Sequence, residues 1–242
     1  MLERPPLEAW GVSGPVEPMA GGHRNRVVRT QEHNPPLVFK STRRSEDAVA
    51  WLTPVMERAA RSGFVVAAPK RCSTGAYVVQ GWTCEPFIEG AGVSEKNLGA
   101  IRPMIETFHR LASDLPQRPG FLSSQDLMIA TTGSDVDLTV MPDELVAMCR
   151  DAWGALDSKD QTVIHGDLGA GNLLRSADDR FALLDWDETR RDVPMFDLVG
   201  LMPPHPKTAL ARLAWEVACS WRIEPDYARR RAAELRQQMP LS

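Results

Sequence analysis

The sequence predicts an α+β chain folded as two lobes: a small N-terminal lobe built on an antiparallel sheet with one main helix, then a larger, mostly helical C-terminal lobe. Three observations predict it. The first third of the 242 residues alternates short apolar runs with turn residues, the mark of strands. From Ser94 onward apolar residues recur at three- and four-residue spacing, as on helices buried by one face. Between those helices one stretch, from Val163 to Glu188, returns to strand character with polar residues at its ends.

Taken in order, "PVEPMAGGHRNRVVRT" predicts two short strands joined across Gly21 and Gly22, and "EHNPP" a turn. "LVFK" then supplies an apolar strand ending in Lys40. In "RRSEDAVAWLTPVMERAARSG" the residues Ala48, Trp51, Leu52, Val55 and Met56 fall at helical spacing, with Gly63 as a stop. Pro54 lies inside that pattern and should kink or divide the helix, because proline lacks the N–H and clashes with the preceding turn. "FVVAAP" and "AYVVQGWTCEPFIEG" read as further extended chain ending at Gly90 and Gly92, which divides the lobes into 1–90 and 91–242.

In the second lobe Ile101, Met104, Ile105, Phe108 and Leu111 form one apolar stripe, and "PDELVAMCRDAWGAL" forms another. "NLLR", the turn "SADDR" and "FALLDWDE" make a hairpin that interrupts the helical lobe. "KTALARLAWEVACSWRI" and "PDYARRRAAELRQQ" close the chain as helices, the latter with Pro225 in its first turn.

Composition excludes several classes. At 43% hydrophobic and 25% charged the chain is globular, and a net charge of −4 leaves no basic footprint for nucleic acid or an anionic membrane. Cys72, Cys84, Cys149 and Cys219 form no CxxC pair, so they read as reduced packing thiols rather than a zinc or redox site. The N-terminus is charged and broken by prolines, and no segment nears the ~18–20 apolar residues of a membrane span, so a cytoplasmic location is expected. The tryptophans read as core. His23, His33, His109 and His205 read as surface or packing residues, and Arg229–Arg231 as a solvated helix face.

One constellation carries chemistry. In "VIHGDLGAGNLLR" a histidine, an aspartate and an asparagine punctuate a loop otherwise made of small and apolar residues. The hairpin that follows returns Asp185 of "LLDWD" beside Asn172, joining an amide oxygen and a carboxylate of the kind magnesium accepts, with phosphates and water completing its shell. Asp167 is left to approach a substrate hydroxyl and take its proton. Gly169, Ala170 and Gly171 keep the backbone clear of side chains there. Upstream, the N–H groups of Gly21 and Gly22 can cover anionic phosphates and Lys40 can bind them as a point charge, with Glu46 favoured over Glu57 as its acidic helix partner. The plainer readings are a capped turn at Asp167, a loop closure at Asn172, a simple Gly-Gly turn and a solvated strand-end lysine.

These residues resemble the aminoglycoside phosphotransferase and choline kinase group of the protein-kinase-like fold. "HGDLGAGN", "LLDWDE" and "DVPMFDL" carry the resemblance, with "GGHRN" and "LVFK" upstream in the same order. The resemblance implies that 1–90 is a nucleotide-binding lobe and 91–242 a catalytic and acceptor-binding lobe. It implies Asp167 as catalytic base, Asn172 and Asp185 as magnesium ligands, and Lys40 with an acidic helix partner on the phosphates of ATP. It makes His165 a brace of the loop and Asp197 a support behind it, with adenine against the backbone near "GWTCEPF".

Gly169 stands where eukaryotic protein kinases usually carry a lysine, and neither "DFG" nor "APE" occurs, which favours a small-molecule kinase over a protein kinase. The expected activity is transfer of the γ-phosphate of ATP to a hydroxyl of an aminoglycoside-like compound, amino alcohol, sugar or related metabolite. The alternatives are a kinase-like module that binds nucleotide without catalysis, or a protein kinase. Asp187, Glu188, Asp192 and Asp197 either face a cationic acceptor or cap and brace the loop, and bracing is favoured for Asp192 and Asp197.

Overall fold

The computed structural model describes residues 4–19, 24–156, 160–203 and 205–239. It divides into two compact units, Met1–Val93 with Gly171–Leu184, and Ser94–Ala170 with Asp185–Ser242.

In the first unit β1 (Val16–Pro18), β2 (Val27–Thr30) and β3 (Leu37–Ser41) form an antiparallel meander. The Gly21–Gly22 joint between β1 and β2 lies outside the described residues. Next come α1 (Glu46–Ala50) and α2 (Leu52–Arg61), separated at Trp51. Ser45 caps α1 by accepting the Ala48 N–H. The helix divides three residues ahead of Pro54, so the proline falls in the first turn of α2, where its missing N–H breaks no helical hydrogen bond. Then follow β4 (Val65–Val66), β5 (Trp82–Pro86) and β6 (Gly90–Gly92), with β5 completing the sheet in the order β1-β2-β3-β5. Leu7, Phe39, Trp82 and Cys84 pack as this sheet's core.

The second unit begins with a 3-10 turn, Glu95–Ile101, that runs into α3 (Arg102–Leu111). A two-stranded pair, β7 (Thr132–Gly133) and β8 (Val136–Asp137), precedes α4 (Asp143–Gly154) and β9 (Thr162–Ile164). The chain then enters the first unit as the hairpin β10 (Leu173–Ser176) and β11 (Phe181–Leu183) and returns to the second as β12 (Arg190–Asp192), α5 (Met195–Leu198), α6 (Pro206–Ser220) and α7 (Pro225–Gln238). Trp153, Leu145, Val217 and Leu235, none more than 0% exposed, join one core of α4, α6 and α7. Each large apolar side chain so buried contributes about 1.5–3 kcal/mol. Among the described residues no helix is long and apolar enough to cross a membrane.

The hairpin belongs with the first unit, where the division at 90/91 would leave it with the second. The reason is ladder hydrogen bonding. β10 pairs antiparallel with β6, and β11 pairs in parallel with β4, so 65–66 joins the second sheet, ordered β4-β11-β10-β6, rather than the N-terminal meander. The strand expected over "FALLDWDE" stops at Leu183, because Asp185 turns left-handed with φ 59° and ψ 71°.

Candidate active site

Asp167 follows β9 on a loop that leaves it exposed, while His165 before it is buried, Gly166 is half-buried and both peptides are tied down. The carboxylate of Asp197, at the start of α5, accepts the His165 N–H on Oδ2 at 2.8 Å and the Gly166 N–H on Oδ1 at 2.9 Å. His109 of α3 meets Oδ2 through Nε2 at 2.9 Å. Burial opposes ionisation of Asp197, but the hydrogen bond and charge of His109, helped by His165 and the Gly166 N–H, outweigh it and hold the carboxyl below its ordinary range. Thr189 Oγ1 donates to the His165 carbonyl at 3.0 Å, and the His165 ring stands edge-on to Trp186 with centroids 5.0 Å apart.

Gly166 is the glycine this loop demands. Its φ is +89°, and a Cβ there would lie 2.5 Å from the Glu188 carbonyl oxygen. At Gly169 and Gly171 a Cβ would meet nothing within 4 Å, so packing among the described residues does not account for them.

Asp185, also exposed, opens the second half of the motif in the left-handed region, which aspartate tolerates better than most residues. The segment after it is held from inside. Arg118, 1% exposed, points Nη1 at the carbonyl oxygens of Trp186 (3.1 Å), Asp187 (2.9 Å) and Thr189 (3.2 Å). β12 then pairs with β9, Arg190 opposite Ile164, so the chain leaving Asp185 runs beside the strand that delivers Asp167.

The acids beyond Asp185 separate into two kinds. Asp192 is 0% exposed, accepts the N–H and hydroxyl of Ser124 at 3.0 and 2.7 Å, and pairs with buried Arg190 at 2.9 Å. Asp192 and Asp197 are therefore braces. Asp187 and Glu188 are half-buried, and the Glu188 carboxylate accepts the Trp215 indole N–H at 3.1 Å.

In the first unit Lys40 is the half-buried position of a strand otherwise buried, opposite Val27 and Thr83. Glu46 lies in the first turn of α1, and its carboxylate accepts the N–H groups of Tyr77 (2.9 and 3.0 Å) and Val78 (2.9 Å). Glu57 is exposed on α2. Asn172 ends the approach to β10, and its carbonyl accepts the Leu184 N–H at 2.9 Å. The hairpin register thus brings Leu184 opposite Asn172, one peptide short of Asp185.

The hard-oxygen side chains that the sequence offers to magnesium are an amide at 172 and a carboxylate at 185. No group of three or more His, Cys, Asp or Glu able to hold a metal occurs among the described residues. Magnesium takes one or two carboxylates and draws the rest of its shell from phosphates and water.

Three supporting residues escape a reading by motif. His109, expected as an ordinary packing or surface residue, is 7% exposed and bonded to Asp197. Its signal was a polar side chain four residues after Ile105 and three before Ala112, on the buried face of α3. Arg118 and Arg190 gave no signal, since only tertiary contacts bury them. All four cysteines are free and buried, in line with packing thiols.

The family model described as "Phosphotransferase enzyme family" matches residues 15–233. Solved structures with a similar fold include a thermostable mutant of aminoglycoside phosphotransferase APH(4)-Ia (TM-score 0.65, 13% identity, 96% of each chain covered). Choline kinase LicA from Streptococcus pneumoniae is similar as well (TM-score 0.65, 14% identity, 93% of this chain and 92% of that one). A third is spectinomycin phosphotransferase APH(9)-Ia in complex with ADP and spectinomycin (TM-score 0.56, 12% identity, 96% and 92% covered). No curated protein matches in sequence.

Proposed function

The chain belongs to the phosphotransferase enzyme family, and from that premise we propose that it transfers the γ-phosphate of ATP to a hydroxyl of a small molecule. The observation that carries this reading is the Asp167 loop. It presents an exposed carboxylate on a backbone fixed by Asp197, His165 and Thr189. Such a group orients an acceptor hydroxyl and takes its proton as the oxygen bonds to phosphorus and the bridging oxygen leaves with ADP. Phosphoryl transfer is carried mostly by positioning and charge neutralisation, so few residues suffice.

Asn172 and Asp185 would hold magnesium, which when bound neutralises phosphate charge. Lys40 would meet the phosphates as a point charge, with Gly21 and Gly22 covering them. A carboxylate has about four acceptor sites, so Glu46 can brace 77–78 and still meet a lysine. The solved relatives in complex with ADP and spectinomycin, or with AMP-PNP and hygromycin B, support a nucleotide and a small-molecule acceptor as the substrate classes.

The test is magnesium-dependent ATP turnover with hygromycin B, spectinomycin, choline and sugars as acceptors, with Asp167→Ala as control. Turnover that Asp167→Ala abolishes without unfolding is the expected result. ATP binding without transfer to any acceptor would favour the non-catalytic module, and full activity of Asp167→Ala would refute the assignment of the base.

A further inference from the structure

We propose that Gln117 is a positioning residue for Asp185, its side chain standing in for a strand against the chain that leaves that aspartate. The proposal rests on the reading of Asp185 as the carboxylate that meets magnesium. Gln117 lies in the segment after α3, outside every motif that carries the chemistry. Its amide takes both main-chain groups of Arg191: Nε2 donates to the carbonyl at 2.8 Å, and Oε1 accepts the N–H at 2.9 Å. Two strands exchange hydrogen bonds in this way at a paired residue, and a glutamine amide carries the same donor and acceptor as a peptide.

β12 and β9 form a sheet of two strands, and side chains take the edge of β12 that faces away from β9. Gln117 serves Arg191 there. Its neighbour Arg118 continues along the same run, with Nη1 at the carbonyls of Thr189, Asp187 and Trp186. Gln117 also sets Arg118, because its Oε1 accepts the Arg118 N–H at 2.9 Å. In return Arg191 Nη1 donates to the carbonyls of Ser113 at 2.7 Å and Leu115 at 3.0 Å. The segments 113–118 and 186–191 are therefore laced together from both sides.

Asp185 stands immediately before the laced run, with φ 59° and ψ 71°. A residue other than glycine stays in that region only where its surroundings over-determine the backbone. The tie at Arg191 and the three carbonyls held by Arg118 supply that constraint on its C-terminal side. Gln117 itself is half-buried, so water can serve Arg191 once the amide is gone. β12 then keeps its pairing with β9, and Thr189 keeps its bond to the His165 carbonyl. Losing the amide loosens the run without unfolding the unit. A glutamine with only a structural role would change the melting temperature and leave the magnesium requirement where it was.

The experiment compares Gln117→Met and Gln117→Glu with the unaltered protein. Methionine keeps the length of the side chain and removes its hydrogen bonds; glutamate keeps the acceptor and removes the donor. Two quantities are read: hydrogen–deuterium exchange over 185–191 without ligand, and calorimetric binding of ADP across a magnesium series, which needs no acceptor. In Gln117→Met the 185–191 peptide is expected to exchange faster. About 10-fold more magnesium should be needed for half-maximal tightening of ADP binding, with the Kd for ADP at saturating magnesium within about two-fold of wild type. Gln117→Glu should fall between the two.

Wild-type exchange over 185–191 in a folded Gln117→Met would overturn the proposal, and so would a wild-type magnesium requirement. Should the methionine variant not fold, Gln117→Glu is held to the same two readings, and a wild-type value in either overturns it. Asp185→Asn is run alongside. A wild-type magnesium requirement in Asp185→Asn sinks the reading of Asp185 and this proposal with it. An impaired Asp185→Asn beside an unimpaired Gln117→Met sinks the proposal alone.

Discussion

The Gly166 N–H donates to Oδ1 of Asp197 at 2.9 Å, so a carboxylate buried in the second unit holds the peptide next to Asp167. Because that carboxyl is held below its ordinary range, its contribution to stability is present above the unfolded carboxyl pKa of about 3.9 and is lost as pH falls through the lower folded value. Asp197→Asn should therefore lower stability already at neutral pH, by roughly 3–5 kcal/mol, since it leaves buried donors around a group that no longer carries charge. Urea denaturation at pH 7, 5 and 3 checks this. The gap between variant and wild type should hold at pH 5 and narrow only below about 3.9.

Gly166 and Gly169 should respond oppositely to alanine. At Gly166 the added Cβ meets the Glu188 carbonyl oxygen at 2.5 Å on a backbone with φ +89°, and Gly166→Ala should lose roughly 1–3 kcal/mol or more together with turnover. At Gly169 the Cβ meets nothing within 4 Å, so Gly169→Ala should melt within about 0.5 kcal/mol of wild type. Thermal melts of the two variants, read side by side, separate the roles.

Arg118→Met should destabilise the second unit. The guanidinium serves the carbonyls of Trp186, Asp187 and Thr189, of which Trp186 keeps the Thr189 N–H at 3.4 Å, and a buried carbonyl that loses its donor costs about 1–3 kcal/mol. Arg118→Lys keeps the charge but not the planar fork, and should recover only part of the loss. Hydrogen exchange over 185–190 would localise the damage; unchanged protection there would refute the role.

Glu46→Ala removes the acceptor of the Tyr77 and Val78 N–H groups and should lower stability by roughly 1–3 kcal/mol even without nucleotide. Lys40→Ala should weaken ATP binding and so lose most of the stabilisation that ATP and magnesium add. Melting each variant with and without ATP and magnesium separates the two effects.

The thiols should react in order. Thr74, hydrogen-bonded to the thiol, holds Cys72 below its usual range, whereas burial pushes Cys84 and Cys149 up to about 12. Cys72 lies in a turn closed by the Gly75 N–H on its carbonyl. Iodoacetamide at pH 8 on the native protein should label Cys72, which is 6% exposed, ahead of Cys84 and Cys149, which are 0% exposed and should wait for unfolding, as peptide mass mapping would read.

Much was legible along the chain because it depends on neighbours in sequence. The strands around Val28 and Phe39, the helix stripe of Ile105 and Phe108, and the break near Pro54 follow from local periodicity and backbone chemistry. The hairpin's placement does not. "NLLR" and "FALLDW" announce two strands, yet whether they pair with Gly90–Gly92 and Val65–Val66 or stay with their helical neighbours is settled by backbone hydrogen bonds between segments about eighty residues or more apart.

The sequence by itself determined which side chains are proposed for the chemistry, Asp167, Asn172, Asp185 and Lys40, because their types and spacing suit phosphate, magnesium and a hydroxyl. Only the tertiary structure decided what holds part of that set in place. His109, Arg118 and the donors around Glu46 and Asp197 act through burial, where an unmatched charge or N–H is costly and each group must find a partner. That demand arises from distant segments packed together, and no short stretch of sequence contains both halves of such a pair.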